Sequence, residues 1–127
     1  INGKIWNVQE IHADGFKPYL KGARLNGCFY IIGEILSEEQ IVCIAEGYAT
    51  GASVFEATSY TTILAFQSGN IDKVGIAIRS KYPNLQLVYC TDDDSATLNA
   101  GIKAANKAVA ATGGIVVLPE FKTVETI

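Results

Sequence analysis

The chain has 127 residues, 49% of them hydrophobic and 18% charged. Average usage is about 25% charged, so this composition indicates one compact globular domain rather than a disordered tail. Ten basic and thirteen acidic residues leave a net charge of -3, which excludes a general polycationic nucleic-acid binder but leaves room for a local basic patch.

No apolar run approaches the ~18 residues that a membrane span needs, so no membrane partner is expected. The sequence opens on Ile1 and holds no Met, which predicts a segment of a longer polypeptide. Charge divides along the chain: residues 1–36 carry a net +1 and residues 37–127 a net -4, with the polar stretch 36–40 between them. The expected organisation is an N-terminal β-rich segment over 1–36 and a core over 37–127.

The first part reads as short strands and turns. Asp14-Gly15 is a hairpin-type signal, Gly22 and Gly27 bracket a second bend, and Cys28-Phe29-Tyr30-Ile31-Ile32 is a strand run. In the second part the continuous apolar run 41–45 suits a buried parallel strand. A helix is expected over 49–58, with Ala52 and Phe55 at helical spacing, and a strand over 61–66. Asn70 is a credible N-cap for a helix whose Ile71, Val74, Ala77 and Ile78 share a face. Pro83-Asn84 ends that helix, and residues 85–90 form the next strand. Leu98, Ile102, Ala105 and Val109 then mark a helix stopped by Gly113-Gly114, before a last strand over 115–118. The alternation calls for an α/β fold: a parallel four-stranded sheet flanked by helices, with the small β-rich extension in front.

The three cysteines, Cys28, Cys43 and Cys90, are odd in number and lack a CxxC pair, which excludes zinc-ribbon and thioredoxin-type readings. Cys43 and Cys90 lie in apolar runs and read as buried small hydrophobes of a reducing, cytoplasmic compartment.

In open parallel sheets, ligands gather at the carboxyl ends of the strands. Two strands here end in acid: the 41–45 run leads into Glu46-Gly47, and the 85–90 run leads through Thr91 into Asp92-Asp93-Asp94. Carboxylates crowded on neighbouring tips repel one another, and a hard divalent cation such as Mg²⁺ or Mn²⁺ relieves that with oxygen ligands. On an extended segment the outer two of three residues point the same way, so Asp92 and Asp94 can share an ion while Asp93 faces elsewhere. The alternative is that these acids cap the following helix and complement its dipole. That accounts for one Asp and leaves two, with Glu46, unexplained.

Other motifs fail. An EF-hand loop begun at Asp92 would need Gly where Thr97 stands and Glu where Lys103 stands. Gly22 and Gly27 have P-loop spacing, but Cys28-Phe29 replaces the Lys-Ser/Thr pair. The sole histidine, His12, has no Cys nearby in sequence and reads as a surface loop residue, and no Ser/His/Asp set is evident.

Three segments together carry a resemblance: the 44–51 segment Ile-Ala-Glu-Gly-Tyr-Ala-Thr-Gly, the 65–70 segment Ala-Phe-Gln-Ser-Gly-Asn, and the Asp92-Asp93-Asp94 strand end. With the late 113–119 segment Gly-Gly-Ile-Val-Val-Leu-Pro, they resemble, in this order and spacing, the TOPRIM domain of phage- and plasmid-type DNA primases. Asn7-Val8-Gln9 and the 15–20 segment resemble what those primases carry just before the domain, so the likeness runs over nearly all of residues 5–121. The resemblance implies a Mg²⁺-dependent (or Mn²⁺-dependent) phosphoryl-transfer site, with Glu46 at the family's signature Glu and Asp92 and Asp94 at its DxD pair. It departs at Thr50, where bacterial replicative primases of the family carry Asp, which leaves the number of ions open.

The expected function is the nucleotidyltransferase core of a DNA primase, joining ribonucleotides on single-stranded DNA in DNA replication. Its setting would be the cytoplasm of a bacterial host, within a parent chain that carries a zinc-binding segment and a helicase. Glu46 is the expected catalytic group and a metal ligand with Asp92 and Asp94. Lys17, Lys21 and Arg24, in an acid-free run, are candidate phosphate contacts, with an ordinary solvated face as the alternative. Asn70 is a candidate nucleotide contact. The other readings are a TOPRIM nuclease or topoisomerase fragment, and a non-catalytic TOPRIM-like interaction module.

Overall fold

A computed structural model describes Gln9, Ala13, Arg24 and residues 26–91 and 100–118. Among these residues five strands form one sheet: β1 (Tyr30–Ile32), β2 (Ile41–Ala45), β3 (Thr61–Leu64), β4 (Gln86–Cys90) and β5 (Ile115–Val117), in the spatial order β1-β3-β2-β4-β5. Strands β2 to β5 run parallel, as the alternation requires. Helices α1 (Tyr48–Thr58), α2 (Ile71–Lys81) and α3 (Ala100–Thr112) connect them. Strand β1 extends the expected four-stranded sheet to five: it lies antiparallel to β3 at the edge, with Tyr30 opposite Leu64 and Ile32 opposite Thr62.

The core follows from strand alternation. Val42 and Ile44 of β2, Ile63 of β3, and Leu87 and Tyr89 of β4 point to one face, where they meet Ile71, Val74 and Ile78 of α2 and Ala105 and Ala108 of α3. On the other face α1 lies against β2 and β3. Gly51 of α1 is buried because Leu64 occupies the space where a Cβ would stand. The α2 face differs from the expected one at one position: Ala77 is exposed and Gly75 is buried instead. The reason is Tyr89, whose hydroxyl lies where a Cβ on residue 75 would go and is hydrogen-bonded to Thr112 of α3.

Helix α3 stops as expected. Gly113 and Gly114 both have left-handed backbone, at φ 75° and 100°, and the Gly113 N–H donates to Val109 O at 2.8 Å. Strand β3 ends two residues earlier than its apolar run, because Phe66 takes φ 73° and turns the chain. Cys28, Cys43 and Cys90 are free thiols, the first two buried. No helix of the described residues is long and apolar enough to cross a membrane.

Candidate functional site

The parallel order of β2, β3 and β4 brings their carboxyl ends to one edge of the sheet. At the tip of β2 stands Glu46, partly exposed, followed by Gly47 at the N-cap of α1. The β2–β3 ladder continues past both strands: Ala65 N–H donates to Ala45 O at 2.9 Å and Phe66 N–H to Glu46 O at 2.6 Å. Glu46 is thus held through its own carbonyl by a residue in left-handed backbone, a conformation that costs a non-glycine residue about 1–2 kcal/mol.

On the other side of β2, Ala45 pairs with Cys90. One step further along the parallel strands come Glu46 and Thr91, and the next residue in sequence is Asp92. The Thr91 backbone N–H donates to Val117 O at 3.1 Å, which fixes the end of β4 to β5. Thr91 is 3% exposed, and its hydroxyl has no hydrogen-bond partner among the described residues. Asp92, Asp93 and Asp94 lie outside the described residues, as do Lys17, Lys21 and His12. Among the described residues no three His, Cys, Asp or Glu side chains cluster.

Asn70 is placed differently from the expectation of a helix cap. It precedes α2 but its side chain makes no capping bond, and it is 2% exposed. Its amide nitrogen donates to Cys28 O at 3.0 Å and to Ala65 O at 2.9 Å, while its oxygen accepts from Gly27 N–H at 2.7 Å. The side chain therefore ties the 26–28 segment to the end of β3. Its polar atoms are engaged by backbone. Sequence could not show this, because two of the three partners, Cys28 and Gly27, lie 42 and 43 residues away.

The consequence is that Arg24, exposed, sits four residues before an anchored Cys28 whose backbone is held at the same edge as Glu46. The Arg24 Nε donates to Asn26 O at 3.1 Å, and Lys73 Nζ from α2 donates to Asn26 Oδ1 at 3.3 Å. Thr50 lies in the first turn of α1, four residues after Glu46. At the opposite end of β4 a cleft of about 400 Å³ is lined by Arg79, Leu85, Gln86 and Gly114. There Arg79 is committed to the carbonyls of Thr112, Pro83 and Leu85, and this cleft is remote from the acidic tips.

Two features were not singled out by sequence: the left-handed Phe66 and the unpartnered Thr91. A phenylalanine after an apolar run carries no signal of positive φ, and a threonine at a strand end is an ordinary β-former.

The Toprim domain family model matches residues 40–119. The chain is 38% identical over 127 residues to a protein described as "DNA primase TraC" from Escherichia coli, an alignment covering 94% of this chain and 12% of that protein. It is 36% identical over 130 residues to a second "DNA primase TraC" from Escherichia coli, covering 97% of this chain and 9% of that one. The chain therefore spans only a small part of the length of these relatives. No solved structure matches. A mostly parallel sheet between helices and a family match over 40–119 have one conclusion: the chain belongs to the Toprim domain family.

Proposed function

We propose that this chain is the catalytic core of a DNA primase, a nucleotidyltransferase that makes RNA primers on single-stranded DNA with Mg²⁺ or Mn²⁺. The observation that carries the reading is the meeting of Glu46 at the tip of β2 with the end of β4, the strand that leads into Asp92-Asp93-Asp94, in a chain similar to "DNA primase TraC" over nearly its full length. The residue types suit a hard divalent cation: the partly exposed carboxylate of Glu46 stands at the tip of β2, and the sequence that follows β4 carries Asp92 and Asp94.

In this reading Glu46, Asp92 and Asp94 hold the ion, which when bound neutralises charge on the reacting phosphates. The 3′-oxygen of one nucleotide forms a bond to the α-phosphorus of the next, and pyrophosphate leaves with the electrons of the broken P–O bond. Glu46, partly exposed at the edge of the sheet, takes the hydroxyl proton or serves purely as a ligand. Arg24 meets phosphate, with Lys17 and Lys21 as further candidates from the same run of sequence, and the Asn70 tie holds the 26–28 segment that follows Arg24 at the end of β3. Asn70 itself acts through the backbone it holds and not on nucleotide. Single-stranded DNA and ribonucleoside triphosphates are the partners, with the zinc-binding and helicase parts of a longer bacterial parent, in the cytoplasm.

Primer synthesis by the full-length parent on single-stranded DNA tests the reading, with and without Glu46→Gln. The expected result is Mg²⁺-dependent primers from the wild type and a loss of at least about a hundredfold in the variant. Wild-type rates from Glu46→Gln would overturn the assignment of Glu46, and a parent that makes no primers would overturn the function.

A further inference from the structure

Helices α2 and α3 pack side by side on the Tyr89 face of the sheet. Together they carry five basic residues, Lys73, Arg79, Lys81, Lys103 and Lys107, against one acid, Asp72. Helix α1, on the opposite face, carries Glu56 and no basic residue. Half of the chain's ten basic residues thus lie on one layer of a protein whose net charge is -3.

Two of the five have structural duties. Arg79 is bonded to the carbonyls of Thr112, Pro83 and Leu85. Lys81 lies over the Tyr82 ring in the last turn of α2, where a cation complements the helix dipole. Lys73, Lys103 and Lys107 are exposed and sit where the helices gain nothing from them. Lys73 stands in the first turn of α2, where the dipole disfavours a cation. Lys103 and Lys107 are one turn apart on the same side of α3, where like charges repel. The one acid of the two helices, Asp72, lies 3.4 Å from Lys107 and cannot offset all three.

These lysines are continuous with Arg24. Asn26 accepts Arg24 Nε on its backbone oxygen at 3.1 Å and Lys73 Nζ on its side-chain oxygen at 3.3 Å. Asp72, next to Lys73, reaches across to Lys107 of α3. One exposed surface therefore runs from Arg24 through Lys73 and Lys107 to Lys103. Ile76 is the one large apolar side chain that these two helices expose, so the surface lacks the apolar anchors of a protein interface. Cations without such anchors suit a phosphate backbone.

We propose that Arg24, Lys73, Lys103 and Lys107 form a track for the sugar-phosphate backbone of single-stranded DNA across α2 and α3. A polyanion there turns each local cost of these lysines into a gain. The inference rests on the reading that this chain works on single-stranded DNA, and adds where the strand lies.

Fluorescence anisotropy of a labelled oligo(dT) of about 16 nucleotides, titrated with the 127-residue chain from about 50 to about 200 mM salt, tests it. Wild-type affinity is expected to fall steeply as salt rises. Each of Lys73→Gln, Lys103→Gln and Lys107→Gln should reduce the slope of log affinity against log salt by about 0.7, and the triple variant by about 2, with binding at least about tenfold weaker at low salt. Lys73→Gln and Lys103→Gln should melt at or above the wild type, which loss of a structural lysine would not allow. Lys81→Gln, at the far end of α2, should keep the wild-type slope, and Asp72→Asn should bind more tightly.

A wild-type slope in the triple variant, an equal loss in Lys81→Gln, or weaker binding by Asp72→Asn overturns the proposal. Polyglutamate bound as tightly as the oligonucleotide also overturns it, by assigning the surface to an acidic protein. Primer synthesis by the full-length parent is read separately: a parent that makes primers leaves the primase reading standing whichever of these results appears. A chain that binds no oligonucleotide at low salt overturns the proposal, and primer synthesis alone then decides the reading.

Discussion

The side-chain oxygen of Asn70 accepts the backbone N–H of Gly27 at 2.7 Å across 43 positions of sequence. With its two donated bonds to Cys28 O and Ala65 O, it joins a loop that precedes the sheet to the end of β3. Asn70→Ala would leave three backbone groups short of a partner, so a loss of about 3 kcal/mol is expected, a fall of roughly 10 °C in melting temperature. Asn70→Asp keeps the acceptor but sets a carboxylate against two carbonyl oxygens, and should fall at least as far. A helix cap would behave otherwise, since Asp caps about as well as Asn. Scanning calorimetry of the two variants separates these roles.

The contrast between Asn70 and the strand runs shows which features sequence carries. Ile41–Ala45 was legible to the residue, because a buried parallel strand needs apolar side chains on both faces and little else does. The α3 stop at Gly113 was legible because left-handed backbone selects glycine. The α2 face was nearly so, but Ala77 lost its expected place to Gly75, which is set by one hydroxyl on β4. The pairing of β1 with β3 has no local signal, since register across a long connection depends on which strand edge remains open. For the site, Glu46 at a strand tip followed from position in the chain. The order of β2 beside β4, which brings Thr91 level with it, came only from the sheet.

Gly75 and Tyr89 are in direct contact across the core. A Cβ at residue 75 would fall on the Tyr89 hydroxyl. Alanine in mid-helix is worth about 1 kcal/mol over glycine, but overpacking a core typically costs about 1–3 kcal/mol. Gly75→Ala is therefore expected to be destabilising on balance. Tyr89→Phe removes the obstructing oxygen along with its bond to Thr112. In that background Gly75→Ala should turn neutral or stabilising, a reversal of sign that denaturant melts of the four-member cycle would detect.

Alkali should unfold the protein through the same residue. Burial raises the Tyr89 phenol above its ordinary value of 10.0, against smaller opposing effects of the Thr112 hydrogen bond and the Arg79 charge. A raised pKa means the folded state keeps a proton that the unfolded chain gives up. The stabilisation is therefore complete below the unfolded value and is lost as pH rises through it toward the raised one. The Tyr89 contribution should be flat up to near 10.0 and decline above it. Tyr89→Phe should remove that decline. Melts at about pH 8 and about pH 10.5 read the slope; an unchanged wild-type slope in Tyr89→Phe would assign the loss elsewhere.

Divalent metal gives a further test at the ends of β2 and β4. Glu46 stands at the end of β2, and β4 leads into Asp92, Asp93 and Asp94. If Glu46, Asp92 and Asp94 converge on one ion, their mutual repulsion weakens the metal-free fold, and Mg²⁺ at roughly a hundred times its dissociation constant adds about 2.7 kcal/mol. Asp92→Asn removes a unit of repulsion and a ligand together. Without metal it should melt at or above the wild type, and with metal it should lose most of the shift. Asp93→Asn should keep most of the shift, since strand alternation turns residue 93 away from its neighbours. Helix capping by the same residues predicts another pattern: Asn in place of Asp nearly neutral and no divalent dependence. Melting each variant in EDTA and in saturating Mg²⁺ distinguishes the two. A metal shift that survives in both Asp92→Asn and Asp94→Asn would place the ion elsewhere and remove the physical basis for Glu46 as its partner.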